Sequence, residues 1–176
     1  MNCAPDHLDL PPFPPLKWDI GEWWDGSIDL VFGRDAALTV TPHDPSISRI
    51  PSEAQGQAVA FLLEHGQEVF SAILAALRPY YEEMRPKYLS FLGSKADSLM
   101  PAVQSVEQLG RLIDLWHVHV HPWTKDGVGY VGLEFGCTWD QEHGFGVLMH
   151  RDRVVSVGSA DISFAWAPNE ADDPAE

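Results

Sequence analysis

Cys137-Thr138-Trp139-Asp140-Gln141-Glu142-His143-Gly144-Phe145-Gly146 stands between two runs that alternate like β-strands, Val128 to Cys137 and Phe145 to His150. A chain that leaves one strand at Cys137 and enters the next at Phe145 must reverse over about seven residues. Gly144 and Gly146 offer the left-handed or bulged backbone such a return needs. Strands joined this tightly run antiparallel, so the decapeptide sets the sheet type. It also gathers a thiol, an indole, two carboxylates and an imidazole. Read structurally, Asp140 caps its own loop by accepting from amides two or three residues ahead, and Trp139 pins the loop on the core. Read functionally, Trp139, Asp140, Glu142 and His143 are contact residues for a partner, or Asp140, Glu142 and His143 form an acid/base or metal-binding group. Cys137 with His143 suggests a thiol nucleophile, yet the sequence offers neither a third orienting residue nor an oxyanion donor, so no catalytic residue is assigned.

Upstream, Trp116-His117-Val118-His119-Val120-His121 has a strict period of two. Trp116, Val118 and Val120 are expected on one face of a strand and the three histidines on the other. His-x-His on a strand spaces two Cα atoms by about 6 to 7 Å, close enough for both imidazoles to share one ion such as zinc. A further ligand must come from a neighbouring strand. In the run from Val128, Val131, Leu133 and Phe135 form the apolar set, which leaves Tyr130 and Glu134 on the polar face. In the next run, Phe145, Val147 and Met149 read as core and His150 points outward. The candidate ligands are therefore His117, His119, His121, Glu134, His143 and His150. The plainer reading is that a half-exposed antiparallel sheet always has a polar face, where histidine is accepted without a metal.

Nearer the N-terminus, Ile28, Leu30 and Phe32, then Leu38 and Val40, alternate around Gly33-Arg34-Asp35 and read as a β-hairpin. Trp18, Trp23 and Trp24 precede it as core anchors or as a binding platform. Ser52 with Gln55 forms a capping-box pattern that opens a helix, and Ala54, Ala58, Phe61 and Leu62 give it one buried face. Gly66 separates it from a second helix carrying Val69, Ile73, Leu77, Tyr80 and Met84, with Pro79 expected to kink it near Ala75. Tyr80-Tyr81-Glu82-Glu83 reads as helix surface with a half-buried aromatic. Residues 93 to 104 read as a loop with room for one helical turn, and Ser105 with Gln108 repeats the capping pattern for a short helix ending near Gly110 to Leu112. After the Arg151-Asp152 turn, Arg153 to Gly158 reads as a strand and Asp161 to Trp166 as a short edge strand.

The chain has 176 residues, 45% of them hydrophobic, enough for one domain with a sizeable core. No stretch predicts a membrane span or a secretory signal. With only two cysteines, Cys3 and Cys137, a disulfide framework is not expected and a cytoplasmic location is. Eleven basic against twenty-six acidic residues give a net charge of −15, which disfavours nucleic acid and anionic lipid and favours a cationic protein partner. Residues 1 to 17 are a proline-rich arm, residues 18 to 166 a single α+β domain, and residues 167 to 176 an acidic tail expected to be disordered. Within the domain we expect an antiparallel sheet made by the N-terminal hairpin and the C-terminal strands, with the helical middle, about residues 52 to 112, packed on one face.

From Gly129-Tyr130-Val131-Gly132 through the decapeptide to Arg153-Val154-Val155 and Gly158-Ser159-Ala160-Asp161, the chain resembles an uncharacterised bacterial family catalogued as a domain of unknown function. Its members share a Cys-x-Trp-Asp-x-Glu-His-Gly-x-Gly signature after an N-terminal hairpin and a helical middle. The resemblance covers roughly residues 18 to 165; Phe145 departs from it, standing where a smaller aliphatic residue is expected. It implies an immunity-type protein that neutralises a cognate bacterial toxin by direct binding, without enzymatic activity. The alternative is a metal-binding protein or metal-assisted hydrolase built on the His/Glu cluster.

Overall fold

The computed structural model describes residues 6–164. Eight strands form one sheet in chain order: β1 (His7–Leu8), β2 (Leu16–Trp18), β3 (Trp24–Leu30), β4 (Gly33–Val40), β5 (Ile113–Lys125), β6 (Val128–Cys137), β7 (Phe145–His150) and β8 (Arg153–Gly158). Helices α1 (Glu53–Glu64), α2 (Gly66–Leu92), α3 (Ala96–Leu99) and α4 (Val106–Leu109) are inserted between β4 and β5, making the fold α+β. All neighbouring strands are antiparallel except β4 and β5, which run parallel. The exception follows from the insertion, because a long helical crossover can carry the chain from the end of the sheet where β4 finishes back to the opposite end, where β4 began.

Local chemistry accounts for the elements. The β3–β4 hairpin forms, but its reversal falls at Val31 and Phe32, with Leu30 opposite Gly33 and a register shift after Ile28. Gly33 is needed inside the strand rather than in the turn, since a Cβ there would lie 2.5 Å from Leu115. Both capping boxes are present, at Ser52 with Gln55 and at Ser105 with Gln108. Gln55 does more than cap: its Nε2 donates to the carbonyls of Thr41 at 2.7 Å and His121 at 3.1 Å, joining the start of α1 to the sheet. Helices α1 and α2 meet at His65 with a bend of 87°, where Gly66 lets Val31 approach to 2.8 Å of a Cβ position. Helix α2 continues through Pro79 and Pro86. Its buried line is Val69, Ile73, Leu77 and Tyr81, with Tyr80 and Met84 only partly covered. The proline-rich stretch is also more regular than expected, because β1 and β2 flank its central prolines and pair at the sheet edge.

Helix α1 packs on β5 and β6, with Gly129 turned towards the backbone of Ala54 and Gln55. On the opposite face of β6, a Cβ at Gly132 would lie 1.5 Å from the Ser163 carbonyl oxygen. This places the 3-10 turn Ala160–Phe164 directly on the face that carries Glu134. That segment was expected to be an edge strand as far as Trp166; its described part is a 3-10 turn, closed by a Ser163 hydroxyl donating to the Ala160 carbonyl at 2.7 Å. Residues 165–176, including the expected acidic tail, lie outside the described residues. With α2 on one side, where the Tyr80 ring meets that of Phe145, and the turn on the other, every residue of β7 is buried, and His150 with them. His150 does lie on the face opposite Phe145, Val147 and Met149, as expected, but it is buried there rather than outward: its ring packs on Tyr130 with centroids 5.0 Å apart, and its Nε2 lies 2.8 Å from the Lys125 carbonyl.

Trp116 also departs from the alternating pattern. A register shift lies between Leu115 and His117, and the Trp116 ring occupies the space above Gly136, on the Glu134 face. The extra residue of this bulge turns Trp116 and His117 to the same side of the sheet, whereas Val118 and Val120 stay in the core. Trp24 is a core anchor, its Nε1 donating to the Arg49 carbonyl at 2.5 Å, while Trp23 remains partly exposed.

Candidate metal centre

Pairing of β5 with β6 puts His117 opposite Glu134 and His119 opposite Gly132. Glycine at 132 leaves room for the Ser163 backbone, and His117, His119 and Glu134 come together on the same face of the sheet. Their ligand atoms all lie within 4.8 Å of one another, the one such group of three among the described residues. The two imidazole rings stack with centroids 3.9 Å apart at 19°, and the Phe164 ring meets His119 edge-on at 5.4 Å. All three groups are partly buried, with 15% of the His119 side chain and 23% of the Glu134 side chain exposed. They are shielded yet reachable.

His119 Nε2 and Glu134 Oε2 are 3.4 Å apart. That is long for a hydrogen bond to a carboxylate, but it matches the ligand–ligand edge of roughly 3.3 Å in a tetrahedron with bonds of about 2.0 to 2.1 Å. Nor is the pair an ion pair at neutral pH. Burial, with smaller contributions from His117 and His121, pushes the His119 pKa down to about 3, so the ring is neutral. Burial likewise lowers the pKa of His117, opposed by Asp25, and raises that of Glu134, with Asp161 adding to the rise. A neutral imidazole offers a lone pair to a metal without first losing a proton.

Of the six candidate ligands, the structure brings together His117, His119 and Glu134 and leaves out the other three. His121 shares their face but its Nε2 is 2.8 Å from the Ser163 carbonyl, and its ring stacks on Trp123. His150 is held by Lys125, as described, and His143 belongs to the decapeptide. Sequence reasoning missed Asp25 and Thr39. Thr39 Oγ1 lies 2.6 Å from His117 Nε2, and Asp25 is the Cα partner of Thr39 on β3. The only signal was the position of Thr39 between the buried Leu38 and Val40, which fixes it on the opposite face.

The decapeptide is organised around Asp140. Tyr88 donates to its Oδ2 at 2.5 Å; the His143 amide donates to Oδ1 at 3.0 Å, and His143 Nδ1 lies 3.1 Å from the same oxygen. Burial alone would raise the Asp140 pKa, but these hydrogen bonds outweigh it and hold the carboxyl below its ordinary range. The Asp140 carbonyl accepts from the Gly144 amide at 3.0 Å and from the Cys137 thiol at 3.3 Å. Gly144 takes the left-handed conformation, φ 61°. Trp139 is buried edge-on against Tyr81, with centroids 5.1 Å apart. Cys137 is buried too, and desolvation pushes its thiol up to about 12, which leaves no thiolate for nucleophilic attack at neutral pH. Of the four expected contact residues, Glu142 and His143 are exposed, Asp140 is mostly covered and Trp139 lies in the core.

The protein is thus an α+β domain whose eight-stranded sheet carries a His/His/Glu cluster on one face. A family model described as a domain of unknown function, DUF6985, matches residues 12–164, and the chain belongs to that family. Comparison with curated proteins gives no match, and neither does comparison with solved structures. Among the described residues no single helix is long and apolar enough to cross a membrane.

Proposed function

We propose that this protein binds a divalent metal ion, zinc in the first instance, through His117, His119 and Glu134. The observation that carries this reading is the convergence of two neutral imidazoles and one carboxylate within 4.8 Å on a rigid sheet. Three protein ligands leave a fourth position for water, and zinc lowers the pKa of such a water to about 7. The reaction class supported by this donor set is metal-assisted hydrolysis. Titration of metal-free, untagged protein with zinc tests the reading: one equivalent should bind with proton release and thermal stabilisation, and His119→Ala should abolish both.

A second reading is supported by the charge of −15 and by the exposure of Glu142 and His143 at the decapeptide. In it the protein is a bacterial, cytoplasmic immunity-type protein that neutralises a cationic toxin by direct binding, with long-range attraction steering the encounter. Affinity for the product of a neighbouring toxin gene, measured at two salt concentrations, tests it; no binding at low salt removes its support.

A further inference from the structure

A histidine ring nitrogen can bind a metal only when it carries no proton, and its other nitrogen then carries one. What receives that proton decides which nitrogen is the ligand. At His117 the partner of Nε2 is Thr39 Oγ1, at 2.6 Å. A hydroxyl can serve an imidazole in either sense, accepting from Nε2–H or donating to a bare Nε2. The second arrangement would place the proton on Nδ1 and leave His117 with no lone pair for a metal.

Asp25 resolves the choice. It faces Thr39 across the β3–β4 ladder, so the two side chains are nearest neighbours on one face of the sheet, and while burial raises the Asp25 pKa, the Trp23 indole and the Thr39 hydroxyl act against that rise by favouring the charged carboxylate. An ionised carboxylate only accepts, and it is the stronger acceptor for the single Thr39 proton. With that proton turned towards Asp25, the Thr39 oxygen presents its lone pairs to His117 and must receive Nε2–H.

We infer that Asp25 and Thr39 are positioning residues that fix His117 as the Nε2–H tautomer and so present Nδ1 as its metal ligand. The inference rests on the metal-binding reading for its consequence, but the tautomer itself exists without metal. The direction of the relay is Nε2–H of His117 to Thr39 Oγ1, then the Thr39 hydroxyl to the Asp25 carboxylate. His119 needs no such device, because its Nε2 already faces Glu134. The two stacked rings therefore ligate through different nitrogens, Nδ1 from His117 and Nε2 from His119.

Long-range nitrogen–proton correlation spectra of the metal-free protein at pH 7.5, with His117 assigned by loss of its signals in His117→Gln, read the tautomer directly. The expected result is a protonated Nε2 and an unprotonated Nδ1 in the wild type, a mixed or inverted pattern in Thr39→Val and in Asp25→Asn, and a restored pattern in Thr39→Ser. Zinc affinity should fall about 10- to 100-fold in Thr39→Val, as for other partners of metal-bound histidines, and return in Thr39→Ser. A wild-type His117 protonated on Nδ1 overturns the inference, as does a Thr39→Val protein that is folded, keeps the Nε2–H tautomer and binds zinc as tightly as the wild type. A wild type that shows the Nε2–H tautomer yet binds no zinc upholds the relay and sinks the metal-binding reading instead.

Discussion

Asp140 shows how a residue with a catalytic appearance can be held by structural work. Its two carboxylate oxygens serve Tyr88 on α2 and the amide and ring of His143, so one side chain fastens the β6–β7 connection to the long helix. Tyr88→Phe should lower stability by about 1 to 3 kcal/mol, because Asp140 keeps its charge and loses a donor. Urea unfolding measures this, and an unchanged midpoint would show that the bond contributes nothing. The histidines make a different contribution. Burial first, then the neighbouring rings, holds His119 near pKa 3, and burial holds His121 near 4, against an ordinary value of 6.5. Below pH 6.5 the unfolded chain takes up protons that the folded chain refuses. Stability is therefore fully present above pH 6.5 and is lost as pH falls towards 4. Thermal melts of metal-free protein between pH 7.5 and 4.5 should show a falling midpoint, with a shallower fall in His121→Gln. A midpoint independent of pH over that range would contradict the burial of these rings.

Among the elements, what was legible in the sequence is what local chemistry decides. Ser52 with Gln55 forms its capping box because the two residues need only each other and one helical turn. Strands β6, β7 and β8 form where the alternation predicts, whereas the β3–β4 hairpin turns at Val31 and Phe32 instead of at Gly33-Arg34-Asp35 and β5 extends beyond residues 116–121 to Ile113–Lys125. Three features escaped because they depend on chain far away in sequence. The parallel pairing of β4 with β5 follows from where the helical insertion returns the chain. The burial of His150 follows from Tyr130 and the Lys125 carbonyl, which the β5–β6 pairing brings beside it, and the bulge at Trp116 is defined only against β6. The candidate site was half legible: His-x-His spacing indicated His117 and His119, and alternation indicated Glu134. Thr39 and Asp25 carried no metal-ligand pattern. The same geometry separates two glycine substitutions in β6. Gly132→Ala would drive a Cβ into the Ser163 backbone, with 1.5 Å between them, and should cost about 1 to 3 kcal/mol or more as the 3-10 turn lifts. Gly136→Ala would meet the ring of Trp116, which is 48% exposed and can swing away, and should be milder. Equal unfolding midpoints for the two variants would contradict the packing of the turn on β6.

The whole molecule combines an acidic surface with a neutral, sheltered donor set. The charge of −15 raises the local concentration of cations of any kind, a basic protein or a divalent ion, so affinity for either should weaken as salt is added. Charge alone does not distinguish the two. The arrangement of His117, His119 and Glu134 does, because geometry that suits one ion gives a fixed stoichiometry and a dependence on single side chains, which a diffuse acidic field cannot.

Isothermal titration of zinc into metal-free, untagged protein at pH 7.5, run beside His119→Ala and Glu134→Gln, is the most direct measurement. Binding of one equivalent that is lost in His119→Ala and strongly weakened in Glu134→Gln is the predicted result. Zinc at about 100 times its Kd should also stabilise the wild type by roughly 2.7 kcal/mol. No saturable binding by the wild type, or binding that survives unchanged in both variants, would contradict a metal centre on this sheet.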